Sequence, residues 1–283
     1  MSPQCEEWIM RKDVTKEVQD LTYLKWSHIR GSSGTAGTFL KARSVIGEKK
    51  KYYKLSNFDP EYGVIGHECI NEIIVDRLLT ILGVEHLEYE LIHADIRVDG
   101  RRFRTWLCSS EDFKSQGESK AALDDYYRVN ANPGEDHYEF CVRNGWKRTV
   151  DQMIAVDYLI LNRDRHGGNI EILSNSRLHE LRMAPMFDHG LSLLCSCMSE
   201  DEAERFDVME DRRCNNYIGS KSCFENLQRI SDAGDVFSSG LKDADRELLF
   251  YGLDGTLSDI YFQKIWEMLS KRYKVYEDLR DHK

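Results

Sequence analysis

The apolar periodicity of this 283-residue chain changes once, near residues 109–118, and that change narrows the folds open to it. Upstream, the runs are short, rich in β-formers and punctuated by turn residues. Leu21–Ile29, Thr38–Ile46 and Lys51–Ser56 read as strands, with a Gly/Ser/Thr stretch at 31–38 and the breakers Asn57-Phe-Asp-Pro60 between or after them. Glu88–Val98 and Arg101–Cys108 flank Asp99-Gly100, a strong two-residue hairpin signal. Before that hairpin, residues 66–83 have helical periodicity, with apolar positions at 70, 73, 74, 78 and 81 and a second stripe at 75, 79 and 82. A helix apolar on two sides is expected to be packed on two sides.

Downstream, helical patterns dominate, at about 119–129, 147–161, 221–231, 242–251 and 258–280. The reading is therefore α+β and bilobal. An N-terminal segment of 1–20, polar and read as a short helix or a poorly ordered tail, precedes a small antiparallel-sheet lobe with one main helix at 21–110 and a mostly helical lobe at 111–283.

The most informative stretch lies in the second lobe. Asp157-Tyr-Leu-Ile-Leu-Asn-Arg-Asp-Arg-His-Gly-Gly-Asn-Ile-Glu-Ile-Leu173 carries an apolar helix-like run into a polar knot, 162–169, and out into a strand-like run. Six of the eight knot residues are strongly polar, which places the knot at a surface or cleft. Phosphoryl transfer needs a carboxylate to orient the attacking hydroxyl and oxygen ligands for the metal on the phosphates. Asp164 and Asn169 stand five apart, the spacing of those two functions in a protein-kinase catalytic loop. A second acidic group is needed shortly after, beyond a small hairpin, and Met186-Phe-Asp-His-Gly190 supplies it as Asp188.

The first lobe holds the parts such a site lacks. Gly31, Gly34 and Gly37 punctuate a loop between two strands, where backbone N–H groups could approach phosphate oxygens without a Cβ in the way. Ser32, Ser33 and Thr35 share that loop. Lys54, on the third strand, is placed to neutralise phosphate charge, and Glu68 or Glu72 on the helix could hold it.

Together these residues resemble the HipA-like serine/threonine kinases, whose C-lobe carries Asp-Arg-His-x-x-Asn or close variants. The loop with a later Asp-x-Gly is also similar to that of phosphatidylinositol 3- and 4-kinases. Asn71-Glu72 with Leu78, Leu82 and Gly83 resembles the helix of the HipA-like family, which favours Glu72 over Glu68. The resemblance spans about residues 20–280 and implies a protein-kinase-like fold. Carried over, it makes Asp164 the catalytic base, with Lys54, Glu72 and His166 beside it, and Asn169 and Asp188 the Mg2+ ligands. The nucleotide, ATP, would then contact Gly31, Ser32, Ser33, Gly34, Thr35 and Lys54, with Cys108, Ser109, Ser110 and Glu111 as the adenine hinge.

The chain departs from relatives in several places. Its glycine loop is neither a Walker A sequence nor G-x-G-x-x-G, and no Ala-Pro-Glu follows the Asp-x-Gly. His166 stands where many protein kinases place a Lys, and the extra N-terminal subdomain of the larger HipA toxins is not apparent. The implied partner is a protein bearing Ser or Thr, with self-phosphorylation of the 31–38 loop as an added expectation. A lipid or small-molecule kinase and a non-catalytic nucleotide-binding module are the rival readings.

Composition bears on partners and compartment. A net charge of −10 argues against broad attraction to nucleic acid or anionic lipid, so neither is expected as a partner. Lys49-Lys50-Lys51 and Arg101-Arg102-Arg104 lie in or beside hairpin turns, where charge keeps edges soluble. The eight cysteines show no metal-site spacing: Cys195-Ser-Cys197 has no second pair. With no secretory signal pattern in the sequence, free thiols and a cytoplasmic location are expected.

Overall fold

The computed structural model describes residues 12–29, 36–46 and 49–281. Strands β1 (Val14–Asp20), β2 (Ser27–Ile29), β3 (Ala36–Ile46) and β4 (Lys49–Leu55) come first, then the two-residue strands β5 (Phe58–Asp59) and β6 (Gly63–Val64). Helix α1 (Glu68–Leu82) follows, and then the hairpin β7 (Glu90–Val98) and β8 (Arg101–Glu111). A six-stranded sheet runs in the order β1-β7-β8-β4-β3-β2, with β1 parallel to β7 and the other neighbours antiparallel. At the β7–β8 turn Asp99 and Gly100 both have positive φ, 48° and 84°, matching the twist of the flanking strands.

The sheet is covered on two sides because its strands alternate. Ile92, Ala94, Ile96 and Val98 of β7 join Leu21, Leu24, Leu55 and Leu107 in one apolar cluster, while Leu91 points into the other with α1. Every residue of α1 except Thr80 and Ile81 is buried. Its apolar positions belong to a core that continues through α4 (Lys147–Leu159) and α8 (Asp259–Asp281) of the second lobe. The helix therefore belongs to both lobes.

Between and around those two helices lie the shorter elements of the helical lobe. In chain order they are β9 (Ser119–Ala122), α2 (Leu123–Asn130), α3 (His137–Arg143), β10 (Asp164–Arg165), β11 (Glu171–Asn175), β12 (Glu180–Met183), α5 (Glu200–Arg205), β13 (Asn215–Asn216), α6 (Cys223–Arg229) and α7 (Asp245–Phe250). Strands β9, β11 and β12 form a small antiparallel sheet beneath the polar knot.

Three sequence expectations are corrected. Val14–Asp20 is a strand and not a helix or tail. Asp13 accepts two hydrogen bonds from Arg77 of α1, at 2.8 and 2.9 Å, and so anchors the segment beside β7 through a contact that no local pattern reports. The strand expected over Leu21–Ile29 is confined to Ser27–Ile29, because Leu21 and Leu24 turn in to cover the sheet. The helix expected from residue 119 begins at Leu123, since 119–122 pairs with β11. Helix α3 was not read from the pattern, although Asp136 and Glu139 form a reciprocal capping box at its start.

The cysteines among the described residues are all free. No helix among the described residues is long and apolar enough to cross a membrane.

Candidate active site

The site is assembled from β4, α1, the 162–169 loop and the 186–190 segment. Lys54 Nζ lies 2.7 Å from Glu72 Oε1 and 2.5 Å from Asp188 Oδ1. Burial alone would push the Lys54 ammonium down, but the Asp188 and Glu72 carboxylates outweigh it and hold its pKa well above the ordinary lysine value. Lys54 is therefore cationic at neutral pH. Glu72 is fully buried, and its second oxygen accepts from the His189 main-chain N–H at 2.8 Å. One carboxylate thus fixes both the lysine and the backbone next to Asp188.

Glu68 has another task. Its Oε2 accepts from the Asn57 amide at 3.0 Å, which ties the loop after β4 to the start of α1. Of the two carboxylates left open by the sequence, Glu72 meets Lys54.

Asp188 has φ of 61°, in the left-handed region that few non-glycine residues occupy. Its amide donates to the Tyr89 hydroxyl at 3.3 Å, and its Oδ2 stands 3.9 Å from Lys41 Nζ. Gly190 is needed for close approach, because a Cβ there would come within 3.0 Å of Glu68 Cβ and 3.2 Å of the Glu68 carbonyl oxygen. Asn71 completes the dock by donating to the Gly190 and Ser192 carbonyls at 3.1 and 3.0 Å. Helix α1 thereby holds the whole turn around Asp188.

The polar knot is less exposed than its composition implied. Asn162, Arg165 and Asn169 are buried, so of the surface or cleft expected for the knot it lies at a cleft, with Asp164 partly open. Burial is tolerated because each has partners: Arg165 pairs with Asp157 at 2.8 Å, Asn162 donates to Asp157 at 2.8 Å, and Asn169 Nδ2 donates to the Asp164 carbonyl at 2.9 Å. Asp164 itself stays partly open, with 28% of its side chain exposed. Its amide donates to Asn162 Oδ1 at 3.1 Å, and Asn215 Nδ2 approaches its Oδ1 at 3.4 Å. His166 Nε2 is 3.7 Å from Asp164 Oδ2, too far for a hydrogen bond, while its Nδ1 accepts from the Gly168 amide at 3.0 Å. His166 shapes the loop more directly than it touches Asp164.

Cys108, Ser109, Ser110 and Glu111 form the end of β8, where Lys54 pairs in register with Cys108 and Lys51 with Glu111. Cys108 and Ser109 are buried and Glu111 is exposed at the lobe junction. Gly31, Ser32, Ser33, Gly34 and Thr35 lie outside the described residues. Lys41, Tyr89, Asn162 and Asn215 were missed in the sequence. Only Lys41 had a local signal, as a lysine facing Lys54 across the β3–β4 pair.

Arg165 Nη1 donates to Phe187 O at 3.1 Å, a bond that ties the 164–169 loop to the segment bearing Asp188. Asn169 is fixed through its amide nitrogen, a bond that does not use its side-chain oxygen. Among the described residues no cluster of three or more His, Cys, Asp or Glu could hold a metal alone. Asn169 and Asp188 carry oxygen donors of the kind magnesium takes, and an ion held there would need phosphate oxygens to complete its shell.

No protein-family model matches the sequence, and no curated protein does either. Solved structures do match. The proinflammatory kinase CtkA of Helicobacter pylori aligns with a TM-score of 0.61 over 93% of this chain and 96% of its own, at 16% identity. A chain of the Shewanella oneidensis MR-1 toxin–antitoxin complex of HipA, HipB and operator DNA aligns with a TM-score of 0.51, over 91% of this chain and 68% of its own, at 15% identity. The HipA-like resemblance read from the sequence thus extends to the fold, which is bilobal and kinase-like.

Proposed function

We propose that this protein is an ATP- and Mg2+-dependent kinase that transfers the γ-phosphate of ATP to a Ser or Thr hydroxyl of a protein. The observation that carries this reading is Lys54 held between Glu72 and Asp188, beside a loop that presents Asp164. The two carboxylates keep the buried lysine charged, and a fixed cation is what phosphate oxygens need. Lys54 and Lys41 neutralise the nucleotide phosphates, and Glu72 keeps Lys54 aimed. Magnesium, held by Asn169 and Asp188, would offset charge on the phosphate oxygens.

Asp164 orients the acceptor hydroxyl and takes its proton through Oδ1 or Oδ2. Asn215 positions that carboxylate, Asn162 holds the Asp164 main-chain N–H, and the Asp157–Arg165 pair keeps the loop rigid. Residues 36–38 of the expected 31–38 loop belong to β3; by the family resemblance the remainder would lie over the phosphates, with Ser32, Ser33 and Thr35 as candidate sites of self-phosphorylation. A phosphate there would place nearly two negative charges against ATP and lower nucleotide affinity.

A lipid or small-molecule acceptor is the alternative. The net charge of −10 disfavours an anionic membrane surface and supports the protein reading. Incubation with γ-labelled ATP and magnesium, alone and with cell lysate, tests it. Phosphoserine or phosphothreonine in recovered peptides supports the reading, and label found only in lipid or small molecules overturns it.

A further inference from the structure

The function proposed above leaves the acceptor's chemistry open, and the surroundings of Asp164 narrow it. A cleft of about 460 Å³ opens beside Asp164, and Arg163, Arg213 and Lys221 also line it, together with Asn215. None of Lys54, Glu72, Asn169 and Asp188 lines this cleft. It is a separate approach to the same carboxylate.

Main-chain bonds fix its walls. Strand β13 pairs with β10 in the register Asp164↔Asn215, and the Asn215 amide donates to the Arg163 carbonyl at 2.8 Å. The Arg163 amide donates to the Leu191 carbonyl at 3.0 Å, and the Cys214 amide to the Lys221 carbonyl at 2.9 Å. The backbones that carry the three cations are thus locked to one another around Asp164.

Their charges have no carboxylate partner among the described residues. Arg212, the neighbour of Arg213, pairs with Glu210 at 2.8 Å and stacks over Phe206 at 4.1 Å. Three cations face one carboxylate in this cleft, although the chain as a whole carries −10. Charges farther away than about 8 Å are largely screened at physiological salt, so the cleft's own residues set the field there.

We infer that this cleft selects an acceptor peptide with acidic residues flanking its Ser or Thr. Arg163, Arg213 and Lys221 are the specificity-determining residues. Carboxylates on either side of the hydroxyl would pair with these cations and leave the hydroxyl at Asp164. The inference rests on Asp164 facing the acceptor.

Binding, measured without turnover, separates this inference from the kinase reading itself. Fluorescein-labelled pentapeptides Glu-Glu-Ser-Glu-Glu, Ala-Ala-Ser-Ala-Ala and Lys-Lys-Ser-Lys-Lys would be titrated by anisotropy against the full chain. They would also be titrated against the combined variant Arg163→Gln, Arg213→Gln, Lys221→Gln. The acidic peptide is expected to bind about tenfold tighter than the alanine peptide, as three exposed pairings allow. The preference should vanish in the variant and fade as salt rises from about 0.05 to about 0.5 M.

The overall charge alone would rank the lysine peptide first, so that ranking, or equal binding, overturns the inference. Binding of phosphatidylcholine vesicles doped with a phosphoinositide, with no peptide preference, overturns it in favour of a lipid headgroup. Acidic-peptide preference without any phosphate transfer would uphold the cleft and refute the kinase reading.

Discussion

Arg165 holds the Asp157 carboxylate through both Nε and Nη2, at 3.1 and 2.8 Å, with both side chains almost wholly excluded from solvent. The same guanidinium donates to the carbonyl of Phe187, so one buried ion pair links α4, the loop bearing Asp164 and the turn bearing Asp188. Burial works against the Arg165 charge, and Asp157 beside it more than compensates, so the guanidinium stays charged.

Removing one partner strands the other. Asp157→Ala is expected to cost about 3–5 kcal/mol of stability, because a buried guanidinium loses its counter-charge. Urea unfolding followed by circular dichroism measures this. A loss below about 0.5 kcal/mol, the range of an ordinary surface change, would contradict it.

Glu72→Gln is expected to lower phosphate transfer by about 100-fold, the scale at which a displaced positioning group matters. The amide keeps a hydrogen bond to Lys54 but not the charge that holds it. Glu68→Gln should have a smaller effect, since an amide oxygen can still accept from Asn57. Steady-state kinetics of both variants give the ranking, and the reverse order would move the role to Glu68.

Asp188→Ala is expected to weaken Mg·ATP binding on the order of tenfold, the scale of losing one charge-assisted contact. Metal-free ATP should bind as well as before or better, because Lys54 is released from Asp188. Calorimetry with and without magnesium reads the split. Unchanged Mg·ATP affinity would leave Asp188 a turn residue only.

His67, at the start of α1, is buried against Tyr261 and the Leu194 carbonyl, and burial lowers its pKa from the ordinary value. As pH falls through the ordinary histidine range the unfolded chain takes up a proton that the folded one resists, so stability falls with falling pH. His67→Gln should flatten the acid limb of stability by up to about one proton. Unfolding midpoints between about pH 7 and pH 5 test this, and a limb of unchanged slope contradicts it.

What the sequence disclosed depended on whether the cause was local. The β7–β8 hairpin followed from Asp99-Gly100, and α1 from its two apolar stripes ended by Gly83, whose φ is 67°. Lys54, Asp164, Asn169 and Asp188 were read from residue type and spacing and Glu72 over Glu68 from the family resemblance, and of these the fold joins Lys54, Glu72 and Asp188 directly. Strand β1 was not, since Arg77 holds Asp13 from 64 residues away. The cationic cleft was hidden likewise: Arg163 meets Asn215 only through the β10–β13 pairing.

Asp164→Asn tests the central claim most directly, because the carboxylate is given a role in transfer and none in holding ATP. Wild-type and variant would be compared for γ-phosphate transfer and for Mg·ATP affinity. The expected result is a loss of transfer on the order of 10²–10⁴-fold, with affinity unchanged. Transfer at the wild-type rate would remove Asp164 from the chemistry and contradict the account.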